Sequence, residues 1–168
     1  MSIQSYLEAK RLMENNEGSM HWFGKQEESL INKAEKILNL KFPQDYRMFL
    51  SDYGAGSFGS SEIYGVFQED FENSGVPDAV WYTLVIRKDV KMPNYLLAIY
   101  GVGDGELFVL NYDKLNENGE PKVTAYSPGY AEDEQTFEVI ANDFGDFLLG
   151  RVKRTLDRAL KQGYPVVM

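Results

Sequence analysis

The stretch YLLAIYGVGDGELFVLNY, residues 95–112, sets three glycines within five positions between two apolar runs. Such a cluster either cradles a phosphate or turns the chain, and the two readings lead to different folds. A dinucleotide fingerprint needs Gly-x-Gly-x-x-Gly, because the third glycine lets a helix pack closely while the helix N-terminus faces the pyrophosphate. Gly101, Gly103 and Gly105 give Gly-x-Gly-x-Gly instead, and Glu106 stands where the third glycine belongs. The residues that follow, LFVLNY, alternate as a strand does and open no helix. Asp104 and Glu106 would repel a phosphate, and the Gly-Lys-Ser/Thr of a P-loop is missing. The stretch therefore predicts a β-hairpin turn, and with it an antiparallel sheet.

Towards the C-terminus the strand-like period continues. YLLAIY, ELFVLNY and KVTAYS are separated by glycine-bearing turns, the second of which carries Asn118-Gly119 for positive φ. That turn, KLNENGEP at 114–121, places Asn116, Asn118 and Gly119 as a calcium loop would. Its first place is Lys114 and its twelfth Ala125, where carboxylates are required, so it is read as a turn alone. PGYAEDEQ reads as an acidic loop and TFEVI as a last short strand. Asn142 is expected to cap a final helix, with Phe144, Phe147, Leu148, Val152, Leu156 and Leu160 along one stripe. The outer face of that helix carries Arg151, Lys153, Arg154, Arg158 and Lys161 against Asp157.

Towards the N-terminus the period is helical. Ile3, Tyr6, Leu7 and Leu12 predict a helix over 2–16, and Leu30, Ile31, Ala34, Ile37 and Leu38 a second over about 26–39. Pro43 suits the first turn of a third, QDYRMFLSDY, which Gly54 stops. GAGSFGSS reads as a loop, because glycine and serine there oppose a helix, and EIYGVF as a short strand. In VPDAVWYTLVIRKDVKMP the aromatic and β-branched residues favour a strand, whereas Val80, Trp81, Leu84 and Val85 between Pro77 and Pro93 fit a helix; we read it as helix. Helices first, then an antiparallel meander, then a closing helix, predict a single α+β domain over residues 1–168, a mostly antiparallel sheet flanked by helices.

Composition narrows the chemistry. A chain of 168 residues is about one domain long and buries roughly 70% of its unfolded surface. It holds no Cys, which excludes disulfides, thiolate metal sites and a Cys nucleophile and suits a reducing compartment. A single histidine, His21, excludes a multi-histidine metal site, and nothing near it marks a nucleophile elbow or triad. Trp22 and Phe23 beside it are read as packing residues. No catalytic motif is met and no cofactor is expected; the chain is read as not an enzyme. Its start, MSIQSYLEAKRLMENNEG, is amphipathic rather than a targeting segment, and no apolar run approaches the roughly 20 residues that span a bilayer. A cytoplasmic protein without a membrane partner is the expectation.

Net charge is −9, and all of it lies in residues 101–146, where 11 acids face 2 bases. An acidic half of this kind repels nucleic acid and attracts basic proteins by speeding their encounter; it also serves as a solubilising surface. Glu132, Asp133 and Glu134 are adjacent and so point different ways, which suits a solvated loop or a basic protein surface better than a metal or a general acid/base pair. Among the aromatic residues, Trp81, Tyr82, Tyr126 and Tyr130 are the interface candidates, some of which must also be core.

The order of these features resembles the SUKH superfamily, which contains the yeast Smi/Knr cell-wall assembly regulator. A helix ending in Leu38 and Leu40 is followed by Pro43-x-Asp45-Tyr46-x-x-Phe49-Leu50, a glycine break at Gly54 and Gly56, and Ile63-Tyr64-Gly65. The later Gly-x-Gly strand pair and Phe144-x-x-Phe147-Leu148 follow in the same order, so the likeness covers about residues 25–155 and leaves the first helix outside. The resemblance implies one α+β domain without catalytic residues. It also implies an immunity protein that binds and neutralises a toxin domain, often a nuclease, delivered between competing bacterial cells. The alternative is a non-catalytic adaptor or regulator binding an endogenous protein. The family is too divergent for a site to be copied from it. The partner-binding candidates are therefore drawn from the acidic half and the aromatics: Asp104, Glu106, Glu132, Asp133 and Glu134, with Trp81 and Tyr130 as anchors for a basic toxin domain.

Overall fold

A computed structural model describes residues 2–168. Two antiparallel sheets stand against five helices, an α+β arrangement. The first helix, α1 (Ser2–Glu14), buries Tyr6, Ala9, Leu12 and Met13; Leu7, expected on that stripe, is 47% exposed because the buried face runs through Ala9 instead. α2 (Glu28–Leu38) buries Ile31, Ala34 and Leu38 but leaves Leu30 half-buried and Ile37 exposed at the edge of the predicted stripe, whereas α3 (Gln44–Tyr53) follows its predicted face, burying Tyr46, Phe49, Leu50 and Tyr53. Pro43 is the residue before α3 rather than part of its first turn.

Two short strands lie where the sequence predicts none. β1 (Met20–Trp22) pairs with β2 (Gly56–Phe58), which pairs with β3 (Ser61–Ile63). β2 occupies the GAGSFGSS segment read as a loop. The reason is close approach: a Cβ on Gly56 would stand 2.9 Å from the Cα of Trp22, so the missing side chain is what lets β1 pair there. Trp22 packs edge-on against Phe49, as expected of a packing residue. Phe23 does not: it is 57% exposed, stacked on Phe67 with ring centroids 4.1 Å apart.

The ambiguous stretch is helical: α4 (Ala79–Val90) starts where the Asp78 carboxylate accepts the Trp81 N–H at 3.0 Å. The meander follows as β4 (Leu96–Gly101), β5 (Leu107–Leu115), β6 (Pro121–Tyr126) and β7 (Val139–Ala141), in that order in the sheet. β4 is thus an edge strand. Just past β3, the Tyr64 N–H donates to the Ile99 carbonyl of β4 at 2.9 Å and so ties the two sheets together. The closing helix, α5 (Phe144–Lys161), is capped by Asp143 and not by Asn142: the Asp143 carboxylate accepts the Asp146 N–H at 2.8 Å. A carboxylate satisfies an orphan donor there and also faces the positive end of the helix dipole, an advantage the neutral amide lacks. α5 buries Phe144, Phe147, Leu148, Val152 and Leu156, leaves Leu160 51% exposed, and packs against α1 and the sheet.

Candidate protein-binding surface

Most of the motif residues that carry the family likeness are buried and hold the fold together. Asp45, fully buried, accepts the N–H of Gly145 at 2.8 Å and that of Tyr46 at 2.8 Å, so α3 supplies a second cap to the start of α5. The Tyr46 hydroxyl donates to the Tyr64 carbonyl at 2.9 Å and its ring meets Phe144 edge-on at 4.8 Å. Gly65 donates to the Pro77 carbonyl, and the Gly54 carbonyl accepts the Val66 N–H at 3.0 Å. Burial pushes the Asp45 carboxyl up to about 6 in spite of its two backbone donors, and holds the Tyr46 hydroxyl well above its ordinary value. A recognition surface has to lie elsewhere.

The acidic candidates sit on two loops that leave the same end of the four-stranded sheet. The pairings Gly101 with Leu107 and Leu107 with Tyr126 put the β4–β5 turn beside the start of the 127–138 loop. In the turn, Val102 donates to the Glu106 carbonyl at 3.0 Å and the Asp104 carboxylate accepts the Glu106 N–H at 2.9 Å. Gly103 and Gly105 adopt φ of +103° and +98°, the region that favours glycine, so the turn reading holds for them. Gly101 has a different reason. Its ideal Cβ would stand 2.5 Å from the Tyr64 hydroxyl, so it is a place of close side-chain approach.

The 127–138 loop is fixed by its own side chains. Gln135 accepts the Ser127 N–H at 2.8 Å and donates to the carbonyls of Ser127 and Tyr130 at 2.7 and 3.1 Å. Glu132 accepts from the Tyr95 hydroxyl at 2.8 Å, and Glu134 from the Ala131 N–H at 3.0 Å. Burial, then Glu132, lifts Tyr95 to about 12, which keeps it a donor. Phe137 stacks on the buried Tyr126, settling Tyr126 as core. Tyr130, in contrast, is 62% exposed. The three consecutive acids form one 3-10 turn rather than an irregular loop.

Trp81 and Tyr82, both half-buried on α4, extend this surface. Their rings lie 6.1 Å apart, and Tyr82 meets Tyr64 edge-on at 5.6 Å. Tyr64, Tyr82, Gly101, Gly103, Gly105, Glu106 and Leu107 line one cleft. The structure therefore places Tyr82 and Glu106 on one cleft, with Trp81 beside Tyr82 and Asp104 outside the lining, and keeps Tyr130 and Glu132–Glu134 as a separate group on the neighbouring loop. Sequence reasoning missed the part played by Tyr64, because its motif reads as a strand and the close approach to Gly101 is visible only once β3 lies beside β4. Among the described residues no group of three His, Asp or Glu is placed to hold a metal ion, and no helix is long and apolar enough to cross a membrane.

Comparison with known proteins agrees with the fold. A solved structure titled "Crystal structure of protein from Pseudomonas syringae pv. tomato" is similar at a TM-score of 0.52, with 18% identity, over 74% of this chain and 84% of that one. At that identity the likeness is one of fold. No functionally curated protein matches. A family model described as SMI1-KNR4 cell-wall, SUKH_6, matches residues 28–148, which takes in every motif from the end of α2 to Leu148 and leaves out α1. With that match spanning well over half of its length, the chain belongs to the SMI1-KNR4 family of the SUKH superfamily.

Proposed function

We propose that this chain is an immunity protein that binds a basic toxin domain, of the nuclease class, and covers its active site in the cytoplasm. One observation carries the reading. All the ion pairs among the described residues are made by α1, α2, α3 and Glu69, and none uses Asp104, Glu106, Glu132, Asp133 or Glu134. Five carboxylates are thus held on two ordered loops with their charge uncompensated, beside an exposed tyrosine and a half-buried tryptophan. A nuclease active site must attract phosphates and so attracts carboxylates presented in this way. The reading is of a binding protein rather than an enzyme.

Co-expression with the product of a neighbouring gene encoding a secreted toxin tests this, scoring survival and co-purification. With a partner in hand, changing Glu106, Glu132, Asp133 and Glu134 to Lys should slow association at least tenfold at low salt and abolish its salt dependence. Unchanged association kinetics would remove these residues from the interface. The cell-wall description of the matching family model supports a second reading, a non-catalytic adaptor for an endogenous protein. Capture of a host protein by cells that carry no toxin gene would favour it.

A further inference from the structure

The cleft beneath the glycine turn differs from the rest of the acidic surface, because it combines ring surface with carboxylate. Its lining joins Tyr64 and Tyr82 with Gly101, Gly103, Gly105 and Glu106. Its volume is about 270 Å³, below the roughly 300–1,000 Å³ of sites that take drug-sized ligands. No cationic side chain lines it. Burial first, then Tyr82 and the exposed Glu62 of β3, raises the Tyr64 hydroxyl to about 12. Tyr64 therefore stays protonated, and its oxygen still accepts a hydrogen bond.

Resting on the reading of a basic partner, we propose that this cleft receives one arginine side chain of that partner, its guanidinium against the Tyr82 ring and the Glu106 carboxylate. A lysine ammonium would satisfy the charge, but its compact point charge has no planar face for the Tyr82 ring and no two-pronged match to the Glu106 carboxylate, so the features together suit arginine better. A guanidinium stacks on aromatic faces, bonds planar carboxylates in a two-pronged fashion and carries five donors for the hydroxyl oxygen and nearby carbonyls. An acidic or phosphorylated group would meet Glu106 and Glu62, and an aliphatic one would leave the Glu106 carboxylate without a partner. Gly101 is essential to the shape, since a side chain there would run into Tyr64.

The probe is a short arginine-containing peptide, with its citrulline counterpart as the uncharged isostere, followed by the backbone amide signals of the folded protein. The arginine peptide should shift Gly101, Gly103 and Gly105, and the citrulline peptide should not. Glu106→Gln and Tyr82→Ala should each weaken the arginine peptide about fivefold, an effect of the size expected for a cation–π or rim charge contact. The double change Asp133→Asn with Glu134→Gln should leave the glycine shifts as they are. Equal shifts from the two peptides, or no shift at these glycines, overturn the proposal. Arginine-dependent shifts confined to 130–138 overturn the cleft but leave the acidic surface standing. Loss of salt-dependent toxin binding without any effect on the peptide separates the two ideas in the opposite direction.

Discussion

Asp45 is a carboxyl taken out of water and given two N–H donors, and its titration records both facts. Its folded value of about 6 lies above the ordinary carboxyl range, through burial first and then the charges of Glu120 and Asp143. The folded protein therefore keeps a proton there that the unfolded chain has already lost. Stability from this group is complete below about pH 4 and is lost as pH rises through about 6. Asp45→Asn cannot titrate, so the difference in unfolding free energy between wild type and variant should change by on the order of 2 kcal/mol between pH 4 and pH 7. Denaturant melts at the two pH values measure it, and a constant difference would contradict the burial argument. Asp45→Ala, which orphans the Gly145 donor, should cost about 1–3 kcal/mol at pH 4 and, because alanine cannot titrate either, show the same dependence on pH. Gly101 gives a second test at this scale. Gly101→Ala should destabilise by about 1–3 kcal/mol through collision with the Tyr64 hydroxyl. Tyr64→Phe removes that oxygen and leaves the ring carbon at 3.7 Å, an ordinary contact, so most of the loss should be recovered in the double variant.

At the scale of elements, the start of α5 separates two neighbouring residues that look equivalent in sequence. Asp143 supplies the capping carboxylate, whereas Asn142 contributes its backbone carbonyl, which accepts from the Asn116 side chain at 3.1 Å. Asp143→Ala should cost about 1 kcal/mol and Asn142→Ala a few tenths, read as shifts in the denaturant midpoint. A larger loss at Asn142 would reverse the assignment. The same contrast explains what was legible beforehand. The helices were, because α2, α3 and α5 bury most of the residues that their spacing selects, Ile37 and Leu160 being the exposed exceptions, and α4 declared itself by an apolar pattern between two prolines. The β4–β5 hairpin was legible from the misplaced third glycine. β1 and β2 were not: three-residue strands carry too little periodicity, and Gly56 reads as a loop former until the backbone of Trp22 is seen against it. Leu7 and Phe23 failed for a related reason, since a helical stripe and an aromatic pair each look buried until the opposing element is placed.

For the whole molecule, charge was the readable property, and the site built from it only half so. Composition located the acids, but the cleft that joins Tyr82 to Glu106 depends on the end of β3 and α4 meeting at Tyr64 and Tyr82, a contact between separate segments of the chain. Charge also supplies the last test. The chain is −9 overall, yet α5 leaves Lys153, Arg154, Arg158 and Lys161 exposed, with Arg158 reaching Ser60 of the β2–β3 turn at 3.4 Å. These cations either shield the acidic loops or present a face that a basic partner avoids; in both cases they oppose its approach. Changing Lys153, Arg154 and Lys161 to Gln should therefore speed association with a basic toxin domain about two- to fivefold at low salt, leave dissociation unchanged, and lose its effect near physiological ionic strength, where the Debye length is about 8 Å. Stability should barely move, because these side chains are exposed and form no ion pair among the described residues. Stopped-flow association across a salt series gives the answer directly. Slower association would mean that α5 itself touches acidic groups of the partner, and would move the interface from the end of the sheet to the helix that crosses it.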